Sequence, residues 1–305
     1  MTAVPADRVT ASTPMEIGLF APLGNGNASA EILRTLGREA EDRGFESVWV
    51  AEHVVLFDDY ESQYPYAADG RFPGGGDTGL LEPLTALTYL AAVTDRIRLG
   101  TGICLVPQRN PVYTAKQVVD LDNLSGGRVD FGIGVGWLRE EFEVLNLPFD
   151  DRGARTDEYL QVMRSLWTDE VSSFKGQHYD MPECRMYPKP VQTPHPPIHV
   201  GGESNAALRR AARHGDGWYS FNRLPADLDE PLARLDAILA DEGRSRADLQ
   251  LTVSPYFNPV DAAAIEGYRE RGVDRLVVLC LAFDVDMLRQ QLDTLVTTVL
   301  EPAQA

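Results

Sequence analysis

Cysteine is scarce in this chain: Cys104, Cys184 and Cys280 are the only three among 305 residues. Their odd number and wide separation argue against a disulfide framework and a thiolate metal site, and predict reduced, partly buried side chains. Long apolar runs are missing too, so no segment is expected to cross a bilayer. Residues 1–14 lack the charged start and apolar centre of a secretory signal. The expectation is a cytoplasmic protein in which residues 1–14 form a flexible tail and residues 15–305 a single domain. Basic side chains are in the minority, 28 Lys and Arg against 46 Asp and Glu, for a formal charge of −18. Phosphate backbones need clustered cations, so nucleic acid is not an expected partner, and neither is a membrane. Neither His-Glu-x-x-His nor Gly-x-Ser-x-Gly occurs, so no metal and no serine nucleophile elbow are expected.

What the chain does contain is a regular alternation. Strand-like apolar runs fall at residues 16–20, 47–51, 97–103, 129–135, 198–200, 217–220, 249–253 and 275–281. Helical patterns fall at 30–43, 82–94, 112–124, 156–167, 205–214, 225–242, 261–271 and 285–300. Two segments interrupt the order: a polar, glycine-rich insertion at 56–80, and residues 171–197, whose six prolines predict a surface hairpin and extended arm. Eight strands, each followed by a helix, with no repeat and no separating linker, predict an α/β fold of the (β/α)8 TIM-barrel type with loop insertions. An open doubly wound sheet fits less well. The Gly132-Ile133-Gly134-Val135-Gly136 run lacks dinucleotide-fingerprint spacing and lies on the fourth strand rather than the first.

In a barrel the C-terminal strand ends face the active site, and this selects the candidates. His53 follows the second strand, with Glu52 beside it as the next candidate. Gly102-Ile103-Cys104 closes the third, Gly134-Val135-Gly136-Trp137 the fourth and Gly201-Gly202 the fifth. Glycines at three successive strand ends point to backbone approaching a large flat or phosphorylated ligand. The stretch from Pro196 to Ser204 carries a short strand into Gly201-Gly202 just where a helix begins, and amides at a helix N-terminus favour an anion without any side-chain charge. Ser204 can also cap that helix, a role worth about 1 kcal/mol with no ligand involved.

Taken in order, residues 47–53, 97–103, Asn110-Pro111, 124–128, 132–137 and 194–202 resemble the bacterial luciferase-like superfamily. Within it the pattern is most similar to actinobacterial deazaflavin-dependent oxidoreductases, from Met15 to about Leu295. The resemblance implies a barrel that binds coenzyme F420 or FMN at its C-terminal mouth. It implies a cis peptide between Gly102 and Ile103, in a bulge that supports the cofactor ring. It also implies that Gly136, Trp137, Gly201, Gly202, Glu203 and Ser204 surround the phosphate and ribityl chain. His53 matches the position where deazaflavin-dependent relatives place a histidine beside the reactive ring carbon, and an imidazole there can give or take a proton as hydride moves. One residue departs from the pattern. Relatives that oxidise sugar phosphates carry a glutamate where Trp137 stands, so that activity is not expected, and the indole suits packing against a ring or an apolar substrate.

The resulting expectation is an F420-dependent oxidoreductase that moves a hydride between the deazaflavin and a small organic substrate. An FMN-dependent monooxygenase supplied with reduced flavin by a partner reductase is the alternative within the fold, and a non-catalytic barrel subunit the alternative outside it. Tyr60, Tyr64, Tyr66 and Phe72 on the insertion either meet a partly apolar substrate or pack the loop onto the barrel. A homodimer is implied by the resemblance, with helices 82–94 and 112–124 near its interface.

Overall fold

Strands that read as near-continuous Val/Ile/Leu runs have two apolar faces and need cover on both, which a parallel sheet wrapped by helices supplies. The structure, a computed structural model, has that arrangement and describes residues 15–305; the expected tail lies outside the described residues. In chain order the strands are β1 (Glu16–Phe20), β2 (Ser47–Val50), β3 (Arg98–Thr101), β4 (Cys104–Leu105), β5 (Val129–Gly134), β6 (Ser172–Lys175), β7 (Asp180–Cys184), β8 (Ile198–Gly201), β9 (Gly217–Phe221), β10 (Gln250–Tyr256) and β11 (Arg275–Leu279). β6 and β7 form the expected antiparallel hairpin outside the barrel. The rest are parallel in the order β3-β2-β1-β11-β10-β9-β8-β5-β4, and pairing of β3 with β5 closes the ring. β3 and β4 are one interrupted strand, so the ring is an eight-stranded (β/α)8 barrel.

The helices are α1 (Ala30–Asp42), α2 (Pro83–Val93), α3 (Pro111–Ser125), α4 (Arg139–Val144), α5 (Arg152–Thr168), α6 (Asn205–His214), α7 (Asp229–Asp241), α8 (Ala262–Glu270) and α9 (Val285–Leu295), the last continued by a π-helical turn, Val296–Leu300. Their limits follow from local chemistry. Ser29, Asn110, Ser204, Asp261 and Asp284 accept first-turn amides as N-caps, and Gly126 ends α3 in the left-handed region. α4 and the short C-terminal helix Glu301–Gln304 were not expected, because six and four residues are too few to show a helical period. Among the described residues no helix is long and apolar enough to cross a membrane. The three cysteines are free, and burial pushes the Cys280 thiol up to about 12.

Inside the ring, Trp49 fills the axis. A Cβ at Gly100 would lie 2.3 Å from its indole, and one at Gly132 would lie 1.9 Å from the Thr101 carbonyl oxygen. The N-terminal end of the barrel is closed by buried charges. Arg98 Nε donates to Asp130 at 2.7 Å, His199 Nε2 donates to it at 3.2 Å, and Arg275 reaches Glu46 at 2.9 Å. Burial alone raises the Asp130 carboxyl, but Arg275 and the hydrogen bonds from His199 and Arg98 more than offset it and hold the group far below the usual carboxylate range. With one end plugged in this way, a ligand can enter only at the C-terminal end.

Candidate active site

A cavity of about 890 Å³ opens at that end, within the range of about 300–1,000 Å³ usual for small-molecule sites. Every sequence-predicted site residue lines it: His53, Gly102, Ile103, Gly136, Trp137, Gly201, Gly202, Glu203 and Ser204.

His53 leaves β2 with its side chain only 9% exposed, and its Nδ1 lies 3.3 Å from Glu141 Oε2. Glu141, on α4, is fully buried. Its Oε1 accepts from Val54 N at 2.7 Å and its Oε2 from Gln108 Nε2 at 2.9 Å, so the carboxylate ties the β2 loop, the segment before α3 and the imidazole together. A carboxylate partner makes Nδ1 the donor. The imidazole lines the cavity, and Nε2 makes no protein hydrogen bond among the described residues. The ring edge is set by Phe72 (centroids 5.2 Å apart, 67°) and Trp137 (5.8 Å, 78°). Glu141 escaped sequence reasoning because it lies 88 positions from His53, on a helix that the periodicity does not reveal.

Glu52 has a different part. It is buried, accepts from Leu105 N at 2.5 Å and Arg109 Nε at 2.9 Å, and Arg109 also reaches Glu82. Engaged in this way, it anchors the return of the interrupted strand and is not a free acid or base. The interruption itself is a bulge. Gly100 pairs with Asp130 and Cys104 with Ile133, so the β3–β4 side has one residue more than β5. Gly102 and Ile103 form its crest, and the peptide joining them is cis, as the resemblance implied.

The strand-end glycines need a correction. A Cβ at Gly134 would lie 1.8 Å from Ile103 Cδ1, and one at Gly201 3.2 Å from it. These two glycines make room for the Ile103 side chain and also line the cavity. Gly202, at φ +106°, is where backbone geometry itself requires glycine. Its N–H, however, donates to the Tyr219 carbonyl at 3.2 Å, so the amides left for an anion are those of Glu203, Ser204, Asn205 and Ala206. Ser204 caps α6, accepting from Ala207 N at 3.2 Å. Side-chain charge is present after all, since Arg152, Arg223 and Arg234 line the cavity. Arg152 donates to the Gly136 carbonyl at 3.0 Å, and Arg234 to the Glu203 carbonyl at 2.9 Å. Burial, helped by neighbouring arginines, lowers the Arg152 guanidinium from its ordinary value.

The insertion packs onto the barrel and also reaches the cavity. Tyr64 packs on Tyr66, Phe72 and Trp137 at centroid distances of 5.1–5.6 Å, which fastens the loop to the barrel. Tyr64, Tyr66 and Phe72 also line the cavity. Trp137 belongs to this aromatic wall beside His53, whereas the resemblance had set it with the Gly201–Ser204 turn.

A family model described as luciferase-like monooxygenase matches residues 15–284. An uncharacterised protein of Mycobacterium tuberculosis is 34% identical over 241 residues, covering 79% of this chain and 79% of its own length. The FMNH2-dependent dimethylsulfone monooxygenase of Pseudomonas putida is 34% identical over 156 residues, 50% of this chain and 42% of that one. The solved structure of an F420-dependent secondary alcohol dehydrogenase with an F420-acetone adduct superposes with a TM-score of 0.74 at 19% identity, covering 96% of this chain and all of the other, a likeness of fold. The matched residues take in every barrel strand and every residue lining the cavity, and the chain belongs to the luciferase-like monooxygenase family.

Proposed function

We propose that this protein is a coenzyme F420-dependent oxidoreductase that moves a hydride between the deazaflavin and an organic substrate. The observation that carries the proposal is His53, a cavity-lining imidazole whose Nδ1 is tied to buried Glu141, which leaves Nε2 without a protein partner among the described residues. The surroundings fit such a cofactor. Tyr219 Oη and Arg223 Nε are buried, have no partner among the described residues, and belong to side chains on the cavity wall, where a polar ring edge or chain would satisfy them. The amides of Glu203 and Ser204, together with Arg152 and Arg234, suit a phosphate, and Gly102 and Ile103 suit the face of a flat ring. When bound, F420 supplies a carbon that takes or gives a hydride. In the oxidising direction a substrate C–H bond breaks with its electron pair, a double bond forms to the neighbouring heteroatom, and His53 Nε2 accepts the proton that atom releases; reduction runs the same path backwards. The fold shared with the F420-dependent alcohol dehydrogenase supports the reading. We assign the activity to a cytoplasmic homodimer, with α3 at its interface because Tyr113 and Leu124 stand 75% and 70% exposed there.

One observation favours a second reading, an FMN-dependent monooxygenase served by a partner reductase: the 34% identity to the FMNH2-dependent enzyme of Pseudomonas putida. A titration separates the two. Trp49, Trp167 and Trp218 are buried, so quenching on ligand entry reports chiefly on Trp137. F420 binding at least about tenfold tighter than FMN supports the proposal, and the reverse order selects the monooxygenase. Binding of neither leaves a non-catalytic barrel.

A further inference from the structure

We propose that the substrate of this site is an uncharged, largely apolar, ring-bearing molecule held on the β10, β11 and β1 side of the cavity. This rests on the oxidoreductase reading and follows from how charge is distributed round the ring of strands. The cavity's arginines belong to one sector: Arg152 begins α5 beyond β5, Arg223 follows β9, and Arg234 lies on α7. Its carboxylates are engaged, Glu52 by Arg109 and Glu203 by Ser220 Oγ at 2.9 Å and Phe221 N at 3.1 Å. From β10 through β11 to β1 the wall is formed by Tyr256, Phe257, Leu279, Leu281, Phe283 and Phe20, with Asn25 and Asn27 on the loop beyond β1, and none of these residues is charged.

A carboxylate or phosphate against that wall would lose its water with no cation in return, which costs several kcal/mol even after relaxation. An ammonium would find no free acid. An apolar ring, by contrast, gains about 25 cal/mol for each Å² it buries. The wall is also built to present rings. β10 changes register between Val253 and Tyr256, and Tyr256 sits at φ +57°, a conformation uncommon for a residue with a side chain. Tyr256 packs against Phe257 at 4.1 Å and against Phe20 at 6.0 Å. Phe257 and Phe283 each remain 59% exposed at the rim, apolar surface that an entering ring would cover. Among the aromatic residues of this wall the polar atom is the Tyr256 hydroxyl, which lies against the Tyr64 hydroxyl. Burial pushes that phenol up to about 12, so at neutral pH it stays protonated and offers a neutral hydrogen bond, matched to an alcohol or carbonyl oxygen.

Three probes that share one ring test the proposal: cyclohexylmethanol, cyclohexanecarboxylate and cyclohexylmethylammonium, titrated calorimetrically at pH 7 into protein saturated with whichever of F420 and FMN it binds. The alcohol is expected to bind at least about tenfold more tightly than either ion. Phe283→Arg, at an exposed rim position that tolerates the change, is expected to weaken the alcohol and strengthen the carboxylate while cofactor affinity holds. Equal or tighter binding of either ion by the wild type, no heat from the alcohol, or an unchanged order in the variant overturns the proposal. If neither cofactor binds, the oxidoreductase reading fails instead, and the probe order on the cofactor-free protein still decides the character of the wall.

Discussion

Replacing Glu141 by Gln keeps the shape of a fully buried side chain and alters only what it can accept. In the native protein Oε1 takes Val54 N–H at 2.7 Å, and Oε2 takes Gln108 Nε2 at 2.9 Å and His53 Nδ1 at 3.3 Å. In Glu141→Gln the oxygen keeps Val54, but the new amide nitrogen faces two groups that were donating to it. Gln108 can turn its own amide, because its Oε1 is buried without a partner. His53 can comply only by presenting a lone pair at Nδ1, which moves the proton of the neutral ring to Nε2, toward the cavity. Charge-assisted bonds become neutral ones, a loss of about 1–2 kcal/mol that the fold survives. In the oxidising direction the imidazole now offers the substrate a donor where an acceptor is needed, so hydride transfer from the substrate should slow by about 10²–10⁴-fold. Nitrogen-15 shifts of labelled histidine report the tautomer directly, and single-turnover kinetics at cofactor saturation report the step. A ring that stays protonated at Nδ1, or a rate within about threefold of wild type, refutes the assignment of Glu141 as the group that sets His53. Glu141→Ala should behave differently, leaving Val54 N–H and Gln108 Nε2 unmet at about 1–3 kcal/mol each and loosening the cavity wall, so cofactor affinity should fall with the rate.

Three further outcomes are expected. His53→Ala should lower single-turnover hydride transfer by about 10²–10⁴-fold with cofactor affinity nearly unchanged, and equal rates at saturation would remove the catalytic role. Gly134→Ala puts a methyl 1.8 Å from Ile103 Cδ1 and should cost about 1–3 kcal/mol in urea melts; adding Ile103→Ala should recover most of that, and simple additivity of the two losses would show that Ile103 is not the obstacle. Asp130 is depressed in the folded state, so its contribution is complete above the ordinary aspartate value of about 4 and is lost as pH falls below it. Asp130→Asn should therefore lower stability at neutral pH by about 3–5 kcal/mol and flatten the decline on acidification; an acid limb as steep as the native one would contradict the sign.

The barrel was legible because its signals are local. Residue runs at 198–200 and 205–214 carry their own strand propensity, cap and period, and the structure reproduces them as Ile198–Gly201 and Asn205–His214. His53 and Gly202 were legible by position, since both follow strand ends. Glu52 was legible only in part. Successive residues leaving a strand turn to opposite sides, so when His53 faces Glu141 its neighbour faces Leu105 and Arg109. That alternation separates an anchoring acid from a reacting base before any coordinates are known. Glu141 had no comparable signal: it is one of three glutamates within six residues, with Glu140 and Glu143, and only the tertiary fold selects the one that is buried.

Charge shows why the remainder was harder. A formal charge of −18 suggests a molecule that repels a phosphorylated cofactor, and a backbone cradle is one way to supply the local donors that overcome it. Surface charges, though, are screened over about 8 Å in physiological salt, whereas groups on the cavity wall act at contact. There the acids are already occupied: Glu52 with Arg109, Glu141 with His53 and Gln108, Glu203 with Ser220 and Phe221. Arg152 gives its bonds to backbone carbonyls and Arg223 Nε has no partner among the described residues, so their positive charge remains for a ligand, whereas Arg234 is already paired with Glu230 at 2.6 Å. Local pairing, which composition cannot express, therefore gives one sector of the cavity the opposite sign to the molecule as a whole.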